Sequence, residues 1–509
     1  MIRIHDNLDR KKKEFVPVNA GRVGIYVCGM TVQGPPHVGH IRASLSGDMI
    51  SRWLEHKGFE VTVVQNFTDI DDKIIEKANA EGVEYQVIAE RNIAEWLTAA
   101  RAMGIREPDV APKATEHIPE ILALIQQLID KGAAYAAGGD VYFAVDAFDE
   151  YGKLSGRTPD ELRAGARIEV GEAKRNPMDF TLWKGAKPGE PAWDSPWGRG
   201  RPGWHIECSA MAMKYLGTTL DLHGGGIDLI FPHHENEVAQ SEMATGARFC
   251  NFWTENGLVN MEGRKMSKSE GHLFLAREIL AEIDAETVRF YLLSTHYKSP
   301  IEFSRERLAE ADRALDRFRN FFHNMSLVDG AAPAPASRPE SSRVSIGVSF
   351  NVSAGEPGAS AGAAPMVALP ATLSPDGEKV RERVDESTRL FEEAMDDDFN
   401  SALAVAHLFD LVKELNGYDL RAKPSAEKSA VLRFGEATVR RLGGLLGLFA
   451  GLGRSVSIPD SVMVRVNERN EARAAKDWAR ADAIRNALRA EGYILEDRAA
   501  GTSVKIASE

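Results

Sequence analysis

The stretch VGIYVCGMTVQGPPHVGH near the N-terminus constrains the fold more than any other part of the chain. Residues 23–30 are apolar and β-branched, which predicts a short buried strand that runs into a turn rich in glycine and proline. From Ile41 to His56 apolar residues recur at helical spacing, and Lys57-Gly58 predicts the end of that helix. The run VTVVQNF then predicts a second strand. Strand, helix and strand in this order predict a βαβ unit, which begins a parallel sheet of the nucleotide-binding type.

Composition and periodicity divide the rest of the chain into further segments. The runs TTLDLHG and FCNFWTENG are predicted to extend the same sheet, and a connective insertion rich in Pro and Gly interrupts it. Past Glu302 an apolar stripe with charges on the other faces predicts a long helix. An Ala/Gly/Pro/Ser-rich stretch follows, with too few apolar residues to offset its ordering entropy, which predicts a mobile insertion. Helices are expected again to about Leu452, and then a helix pair, or one long helix, that turns at Gly492 into a strand.

The predicted fold class is α/β, with a Rossmann-type parallel-sheet domain, an inserted connective domain, a helical bundle and a small C-terminal α+β domain. The expected boundaries are 1–114 and 204–300 for the two halves of the Rossmann-type domain, 115–203 for the connective insertion, 301–326 and 379–455 for the helical bundle, 327–378 for the flexible insertion, and 456–509 for the C-terminal domain.

Bulk composition limits the classes of protein that fit. A chain of 509 residues is too long for one core, and its 43% hydrophobic and 27% charged residues are typical of globular domains. The net charge of -13 argues against a non-specific nucleic-acid binder, although a confined RNA site is compatible with it. Three cysteines (Cys28, Cys208 and Cys250) form no disulfide framework and suit a reducing compartment. No signal peptide and no membrane-spanning run is recognisable, so we expect a cytoplasmic protein.

His37 and His40 flank Val38-Gly39 at the predicted strand-to-helix turn, in the motif HVGH. Unpaired backbone N–H groups and the helix dipole attract phosphate at such a turn, and a glycine lets a nucleotide lie close to the backbone. Two histidines at this spacing are also able to ligate a metal, or one can be an ordinary turn residue. The motif alone leaves these alternatives open.

The stretch GRKMSKSEG, residues 263–271, places Lys265 and Lys268 beside two hydroxyls in a glycine-flanked loop. Two such lysines can clamp the charge that grows on a triphosphate during transfer. A Lys/Ser-rich loop is also common on solvated surfaces, so this motif does not decide by itself. HVGH near the start and KMSKS after the last predicted strands resemble, in this order, the paired signatures of class I aminoacyl-tRNA synthetases.

Cys28 lies at the end of the first predicted strand, and two later stretches, GWHIECSAM and FPHHENEVAQ, add Cys208, His233 and Glu237. Two thiolates, an imidazole and a carboxylate are a suitable donor set for tetrahedral zinc. His233 and Glu237, at i and i+4, share one helix face. These residues come from three distant segments, so spacing does not establish the set. The alternative for Cys28 is a small buried hydrophobic residue at a strand end.

A longer set of stretches carries a closer resemblance. The stretches are YVCGMTVQGPPHVGH, NFTDIDDKI, DFTLWKGAKPGEPAW, GWHIECSAM, DLHGGGIDLIFPHHENE, KMSKS and KDWARADAIRNAL. Together they resemble the cysteinyl-tRNA synthetase family over nearly the whole chain except residues 327–378. The resemblance implies an enzyme that joins L-cysteine to ATP as cysteinyl-adenylate and passes the cysteinyl group to the 3′ end of tRNA(Cys). It also implies one Zn²⁺ per chain that selects the substrate thiolate, and Mg²⁺ with ATP.

The same resemblance implies a role for each motif residue. The implied zinc ligands are Cys28, Cys208, His233 and Glu237. The implied catalytic residues are His37, His40, Lys265 and Lys268, and the implied ATP-binding residues are His37, Gly39, His40, His223, Gly225 and Lys268. The substrate pocket is expected to include Thr68, Trp204 and Asp228, for which packing or capping is the alternative. Anticodon contacts are implied for Arg473, Trp478, Asp482 and Asp497, where the alternative is a solvated helix with i,i+4 ion pairs.

The expected partners are tRNA(Cys), L-cysteine and ATP, with no membrane, and the family's habit implies a monomer. One rival is a cysteine ligase of mycothiol-type thiol biosynthesis, which would share the zinc and ATP signatures but lack the small terminal domain. A second rival is a non-catalytic RNA-binding relative. Loss of the HVGH motif or of the second KMSKS lysine, Lys268, would indicate such a protein. The chain departs from the family at Glu270 and His272, where leucine and asparagine are usual. We expect the carboxylate beside the lysines to tune ATP affinity or loop closure.

Overall fold

The computed structural model describes residues 1–157, 173–261, 264–265, 274–326, 328, 368–450, 452, 460–491, 493–498 and 501–506. Most of the predicted insertion at 327–378 lies outside these residues, as do Lys268, Glu270, His272 and Gly492. The chain forms two compact units, one of Met1–Phe318 with Ala361–Ala450 and one of Arg319–Ser360 with Gly451–Glu509.

The described elements follow in chain order. The helices are α1 (Val38–His56), α2 (Asp72–Glu81), α3 (Tyr85–Ala102), α4 (Ile118–Asp130), α5 (Ile206–Leu216), α6 (Glu235–Thr245), α7 (Ala276–Glu282), α8 (Ala285–Leu293), α9 (Arg305–Ser326), α10 (Pro375–Asp396), α11 (Ser401–Arg421), α12 (Ala426–Leu445), α13 (Asp460–Ala474) and α14 (Trp478–Ala490). The strands are β1 (Arg3–Asp6), β2 (Lys11–Glu14), β3 (Arg22–Val27), β4 (Glu60–Gln65), β5 (Ala134–Ala137), β6 (Asp140–Phe143), β7 (Phe180–Gly185), β8 (Gly200–Pro202), β9 (Leu220–Gly226), β10 (Cys250–Asn256), β11 (Val259–Met261), β12 (Arg264–Lys265), β13 (Ile301–Glu302), β14 (Tyr493–Arg498) and β15 (Gly501–Ile506).

A parallel sheet of four strands, in the order β10-β9-β3-β4, forms the centre of the first unit. The predicted parallel, nucleotide-binding type of sheet is therefore confirmed. The strand predicted for residues 23–30 is β3, and it ends at Val27 rather than at Met30. Beyond it, the Gly29 N–H donates to Asn66 Oδ1 instead of to a neighbouring strand. Helix α1 begins at Val38 rather than at Ile41, so Gly39 and His40 lie in its first turn. The carboxyl ends of these strands, where ligands bind in such sheets, carry the motif residues.

The connective insertion forms an antiparallel sheet in the order β5-β6-β7-β8. Its aromatic and aliphatic side chains, such as Phe143 and Phe180 with ring centroids 4.9 Å apart, belong to the same hydrophobic core as Tyr26 and Trp253 of the parallel sheet. The described part of the insertion is therefore packed against the parallel sheet through a shared core.

Helices α10 to α12 form the bundle of the first unit, and each begins at a polar cap. The side chains of Ser374, Asn400 and Ser425 accept hydrogen bonds from the backbone N–H groups of Gly377, Leu403 and Lys428. The amphipathic pattern of these helices buries one face of each, which confirms the predicted helical region after the insertion.

The second unit contains the pair α13 and α14 and the hairpin β14–β15. Its small core contains Val462, Val466, Leu488 and Val504. Of the two predicted alternatives, a helix pair or one long helix, the structure has the pair, and a hairpin follows it instead of a single strand. Within the part of the chain that the structure describes, no helix is long and apolar enough to cross a membrane.

Candidate active site

Four predicted metal ligands meet beyond the carboxyl end of β3. Cys28 follows that strand, Cys208 lies in α5, and His233 and Glu237 lie before and within the first turn of α6. One ligand atom from each lies within 4.8 Å of the others, and all four residues are buried. Glu237 Oε1 lies 3.6 Å from Cys28 Sγ and 3.1 Å from His233 Nε2. Three distant segments therefore converge as the zinc hypothesis requires.

The electrostatics of this cluster favour a bound cation. Burial, together with the hydrogen bond that its thiol donates to Cys208 and the charge of Glu237, raises the pKa of Cys28 well above its ordinary value. Burial also lowers the pKa of His233 far below its ordinary value, so its imidazole is neutral and offers a lone pair. A buried carboxylate beside two thiols is costly unless a positive charge compensates it.

A second layer of polar side chains contacts two of the four, His233 and Glu237. His205 Nδ1 lies 2.9 Å from His233 Nδ1, which holds the opposite nitrogen of His233 towards Glu237. His223 Nε2 lies 3.0 Å from the other oxygen, Glu237 Oε2. His234 also offers a ligand atom, since it forms an alternative group with Cys28, His223 and Glu237 within the same distance. Outer contacts of this kind fix ring orientation at metal sites.

Three buried residues of this region were not predicted. His205 orients His233, Glu207 accepts a 2.5 Å hydrogen bond from Thr68 Oγ1, and Glu255 accepts one from His234 Nδ1 at 2.8 Å. Burial raises the pKa of Glu207 well above its ordinary value. The sequence carried a signal for two of them, because a carboxylate in the apolar runs IECSAMAM and FCNFWTEN is unusual unless it has a partner.

Of the three predicted substrate-pocket residues, Trp204 contacts the cluster directly. It is 39% exposed, and its ring stacks on His233 with centroids 4.5 Å apart. Thr68 is buried and donates to Glu207, the neighbour of Cys208 in α5. Asp228 lies in the short turn Ile227–Leu229 after β9. The structure thus places an exposed indole against one of the four candidate ligands.

The two HVGH histidines lie at the N-terminus of α1. Their rings stack with centroids 3.6 Å apart, and the backbone N–H of His37 donates to His40 Nδ1 at 3.2 Å. Gly39 is in the first turn of the helix, where backbone N–H groups point outward. A helix N-terminus, a position that attracts anions in proteins, thus carries two imidazoles, and the loop that leads to it begins after β3 with Cys28.

The remaining predicted ATP-site residues lie on β9 and β12. His223 is fully buried, stacks on Trp253 at 4.4 Å and contacts Glu237, so the structure brings it to the metal-ligand cluster. Gly225 lies against His234, and a Cβ there would come within 2.9 Å of that ring. For Lys265 only the backbone is described, and it pairs with Asn260. Lys268 lies outside the described residues.

The predicted anticodon residues lie in the second unit. Trp478 is 59% exposed at the first position of α14, which Asp477 caps through the N–H of Arg480. Asp482 is exposed one turn later on the same face, and Arg473 lies in the last turn of α13. For Asp497 only the backbone is described, paired with Thr502 in the hairpin.

This fold and site define a class I aminoacyl-tRNA synthetase. Residues 14–313 match the family described as tRNA synthetases class I (C) catalytic domain, and residues 390–450 match the DALR domain. Among solved structures, a Mycobacterium tuberculosis methionyl-tRNA synthetase bound to methionyl-adenylate superposes with a TM-score of 0.57 at 15% identity, covering 84% of this chain and 90% of the other. A putative arginyl-tRNA synthetase from Campylobacter jejuni gives a TM-score of 0.51 at 12% identity, covering 87% and 95%. These distant likenesses show the shared fold.

Curated relatives identify the particular family. A cysteine–tRNA ligase from Geobacter sulfurreducens is 47% identical over 518 residues, covering 99% of both chains. Another from Heliobacterium modesticaldum is 45% identical with the same coverage. The chain belongs to the family of cysteine–tRNA ligases.

Proposed function

We propose that the protein activates L-cysteine with ATP as cysteinyl-adenylate and transfers the cysteinyl group to the 3′ end of tRNA(Cys), using a zinc ion to select the substrate thiolate. One observation carries the proposal. In a chain of this family, a buried donor set of two thiols, an imidazole and a carboxylate lies beside an exposed tryptophan and a helix terminus of the phosphate-binding kind. We propose that the amino-acid pocket and the nucleotide site are adjacent, since Cys28 and the HVGH turn both follow β3.

Zinc fits the residues of this cluster. Cys28, Cys208, His233 and Glu237 offer the sulfur, nitrogen and oxygen donors that zinc takes in tetrahedral sites, and their ligand atoms lie within 4.8 Å of one another. Zinc binds the neutral form of an imidazole and the ionised form of a carboxyl group, and burial keeps His233 neutral. Bound zinc would supply a thiophilic Lewis acid for the sulfur of the substrate.

Selection against serine is the chemical reason for such a metal. Serine differs from cysteine by one heavy atom, and a pocket that discriminates by shape gains only about 1–3 kcal/mol from a change of this size. A thiol deprotonates readily and is a soft ligand, whereas a hydroxyl does not deprotonate readily and is not a soft ligand. Trp204 is proposed to form the pocket wall, with Thr68 and Asp228 as polar contacts for the rest of the amino acid.

The protein's own groups act on the phosphates by position and charge. His37, Gly39 and His40 are proposed to bind the ATP phosphates at the start of α1, with His223 and Gly225 on the adenosine side. Lys265 and Lys268 are proposed to stabilise the charge that develops during transfer, with Mg²⁺ bound to ATP. No covalent enzyme intermediate is needed, because carboxylate attack on the α-phosphate requires alignment and electrostatic stabilisation.

Recognition of tRNA is proposed for the C-terminal parts of the chain. Arg473, Trp478, Asp482 and Asp497 are proposed as anticodon contacts, where an exposed aromatic can stack on an unpaired base. The exposure of Trp478 supports this role. We propose the domain boundaries given above for the whole chain, and a monomeric enzyme of the cytoplasm.

The experiment is cysteine-dependent ATP–pyrophosphate exchange on the purified protein, with serine as control, followed by charging of transcribed tRNA(Cys). We expect pyrophosphate exchange with cysteine but not with serine, and charging of tRNA(Cys). Exchange without charging would favour the thiol-biosynthesis ligase, and no exchange by the zinc-loaded protein would favour a non-catalytic RNA-binding relative.

A further inference from the structure

Arg42, two residues after His40 in α1, is a buried cation whose hydrogen bonds go to main-chain carbonyls. Its Nη1 donates to the carbonyls of Gly257 at 2.8 Å and Leu258 at 3.1 Å. Its Nη2 donates to those of Ser299 at 2.6 Å and His296 at 3.3 Å. The side chain is 2% exposed, and burial lowers its pKa to about 10. Among the described residues, none of its hydrogen-bond partners is a carboxylate, which is unusual for a desolvated charge.

Two of the four carbonyls, those of Gly257 and Leu258, lie at the base of the hairpin that carries Lys265, and those of His296 and Ser299 lie in the segment before β13. Gly257 and Leu258 connect β10 to β11, which pairs with β12 on one side and with β13 on the other. Gly257 N–H donates to Tyr297 O at 2.9 Å, so the β10–β11 connection and the segment His296–Ser299 are already joined. Gly257 also has no room for a Cβ, which would overlap the carbonyl of Ser299. Arg42 therefore ties α1 to a tightly packed joint.

A separate contact holds the other side of the HVGH turn. Val38 N–H donates to Phe274 O at 3.1 Å, and Ala276 N–H donates to Pro36 O at 2.9 Å. Backbone bonds thus fix the start of α1 against the chain after KMSKS, and the guanidinium of Arg42 links the helix to the chain before KMSKS. A side-chain substitution can remove the hydrogen bonds of this guanidinium, whereas it leaves the backbone bonds in place.

We propose that Arg42 is a positioning residue for adenylate formation, which sets the placement of the HVGH turn relative to the β11–β12 hairpin. This inference rests on the proposed function. Arginine is required because its rigid planar fork presents donors to several carbonyls at once, whereas a lysine ammonium is a single compact charge with three donors. A small misplacement of phosphate-binding groups is costly, since about 1 Å can cost about 100-fold in rate.

The test compares Arg42→Lys with Arg469→Lys. Arg469 of α13 is the control because it is also buried, and its described hydrogen bonds go to the neutral oxygens Asn470 Oδ1 and Thr502 Oγ1, far in sequence from both signatures. Exchange kinetics, zinc content and thermal midpoint are measured for each protein, together with ATP affinity by equilibrium dialysis in the absence of cysteine. The dialysis does not depend on the reaction, so a failure of the proposed function shows separately, as absent exchange by the unaltered protein.

For Arg42→Lys we expect kcat of exchange to fall about 10- to 100-fold and ATP affinity to weaken about fivefold, with KM for cysteine and zinc content within about twofold. Arg469→Lys should leave these constants unchanged. A folded Arg42→Lys protein with unaltered kcat and ATP affinity overturns the proposal, as does an equal kinetic loss in both variants. Should Arg42→Lys fail to fold, Gly257→Ala disturbs the same joint, including a carbonyl that accepts from Arg42, while the arginine itself is kept. That variant must then reproduce the kinetic loss, and unaltered kcat in it overturns the proposal.

Discussion

Asp48 in α1 is the carboxylate on which the attachment of the HVGH helix to the rest of the first unit depends. It accepts hydrogen bonds from Arg289 of α8 at 2.6 Å, from Arg52 at 3.0 Å and from the backbone N–H of Arg106 at 3.2 Å. Both Asp48 and Arg289 are buried. Asp48→Asn keeps the shape of the side chain and removes its charge, which leaves the Arg289 guanidinium buried without its counter-ion.

The expected loss is about 3–5 kcal/mol of unfolding free energy, the usual cost of removing one partner of a buried ion pair. Glu60→Gln is the matched control, because it breaks the Arg22–Glu60 pair, in which both side chains are 72% exposed. That pair should contribute about 0–1 kcal/mol. Urea unfolding followed by tryptophan fluorescence measures both, and a loss below 1 kcal/mol for Asp48→Asn would refute the assignment of Asp48 to a buried ion pair.

The same carboxylate makes stability depend on pH in a defined window. Burial pushes the pKa of Asp48 up, but Arg289 and Arg52 together hold it below its ordinary value. A carboxyl with a lowered folded-state pKa contributes fully above its unfolded pKa of about 3.9, and the contribution is lost as pH falls through the folded value. The stability difference between the native protein and Asp48→Asn should therefore be constant from pH 7 to about 5 and shrink below about 4. A difference that grows on acidification contradicts this linkage.

Three further substitutions separate the metal, amino-acid and tRNA functions. Glu237→Gln should weaken zinc binding at least 10-fold in a chelator competition, because it removes a charged donor from the buried set, and unchanged affinity would exclude Glu237 as a ligand. Trp204→Ala should raise KM for cysteine about 10-fold and leave ATP affinity intact, since the indole covers His233, and equal effects on both substrates would exclude a cysteine-pocket role. Trp478→Ala should raise KM for tRNA about 5- to 150-fold, as expected for one lost base-stacking contact, with pyrophosphate exchange unchanged; altered exchange or unaltered charging would contradict the anticodon assignment.

The sequence predicted the parallel sheet because its signals are local. The apolar run before Cys28, the helical spacing from Ile41 and the glycine-bearing turn between them are readable without any tertiary information. The ends of these elements were less accurate. Whether β3 continues past Val27 is decided by Asn66, which captures the N–H of Gly29 from a distant position in the chain.

The metal-ligand cluster was predicted from motifs, whereas its supporting contacts were not. The convergence of Cys28 with His233 follows from the resemblance, since spacing cannot bring together residues more than 200 positions apart. His205 and Glu255 act through contacts that exist only after folding. Arg42 is a further residue whose role the sequence does not reveal. A charged residue near the start of a helix is expected to be exposed, and its four carbonyl partners are known only from the structure.

The central claim is that a metal held by the four-residue cluster selects cysteine. Its most direct test is the ratio of kcat/KM for cysteine to that for serine in pyrophosphate exchange, measured with zinc bound, after chelation and after zinc is restored. The account predicts a large preference for cysteine in the zinc-bound protein. Removal of zinc should abolish this preference through loss of cysteine activation, and restored zinc should bring it back. A preference for cysteine that survives complete zinc removal would contradict it.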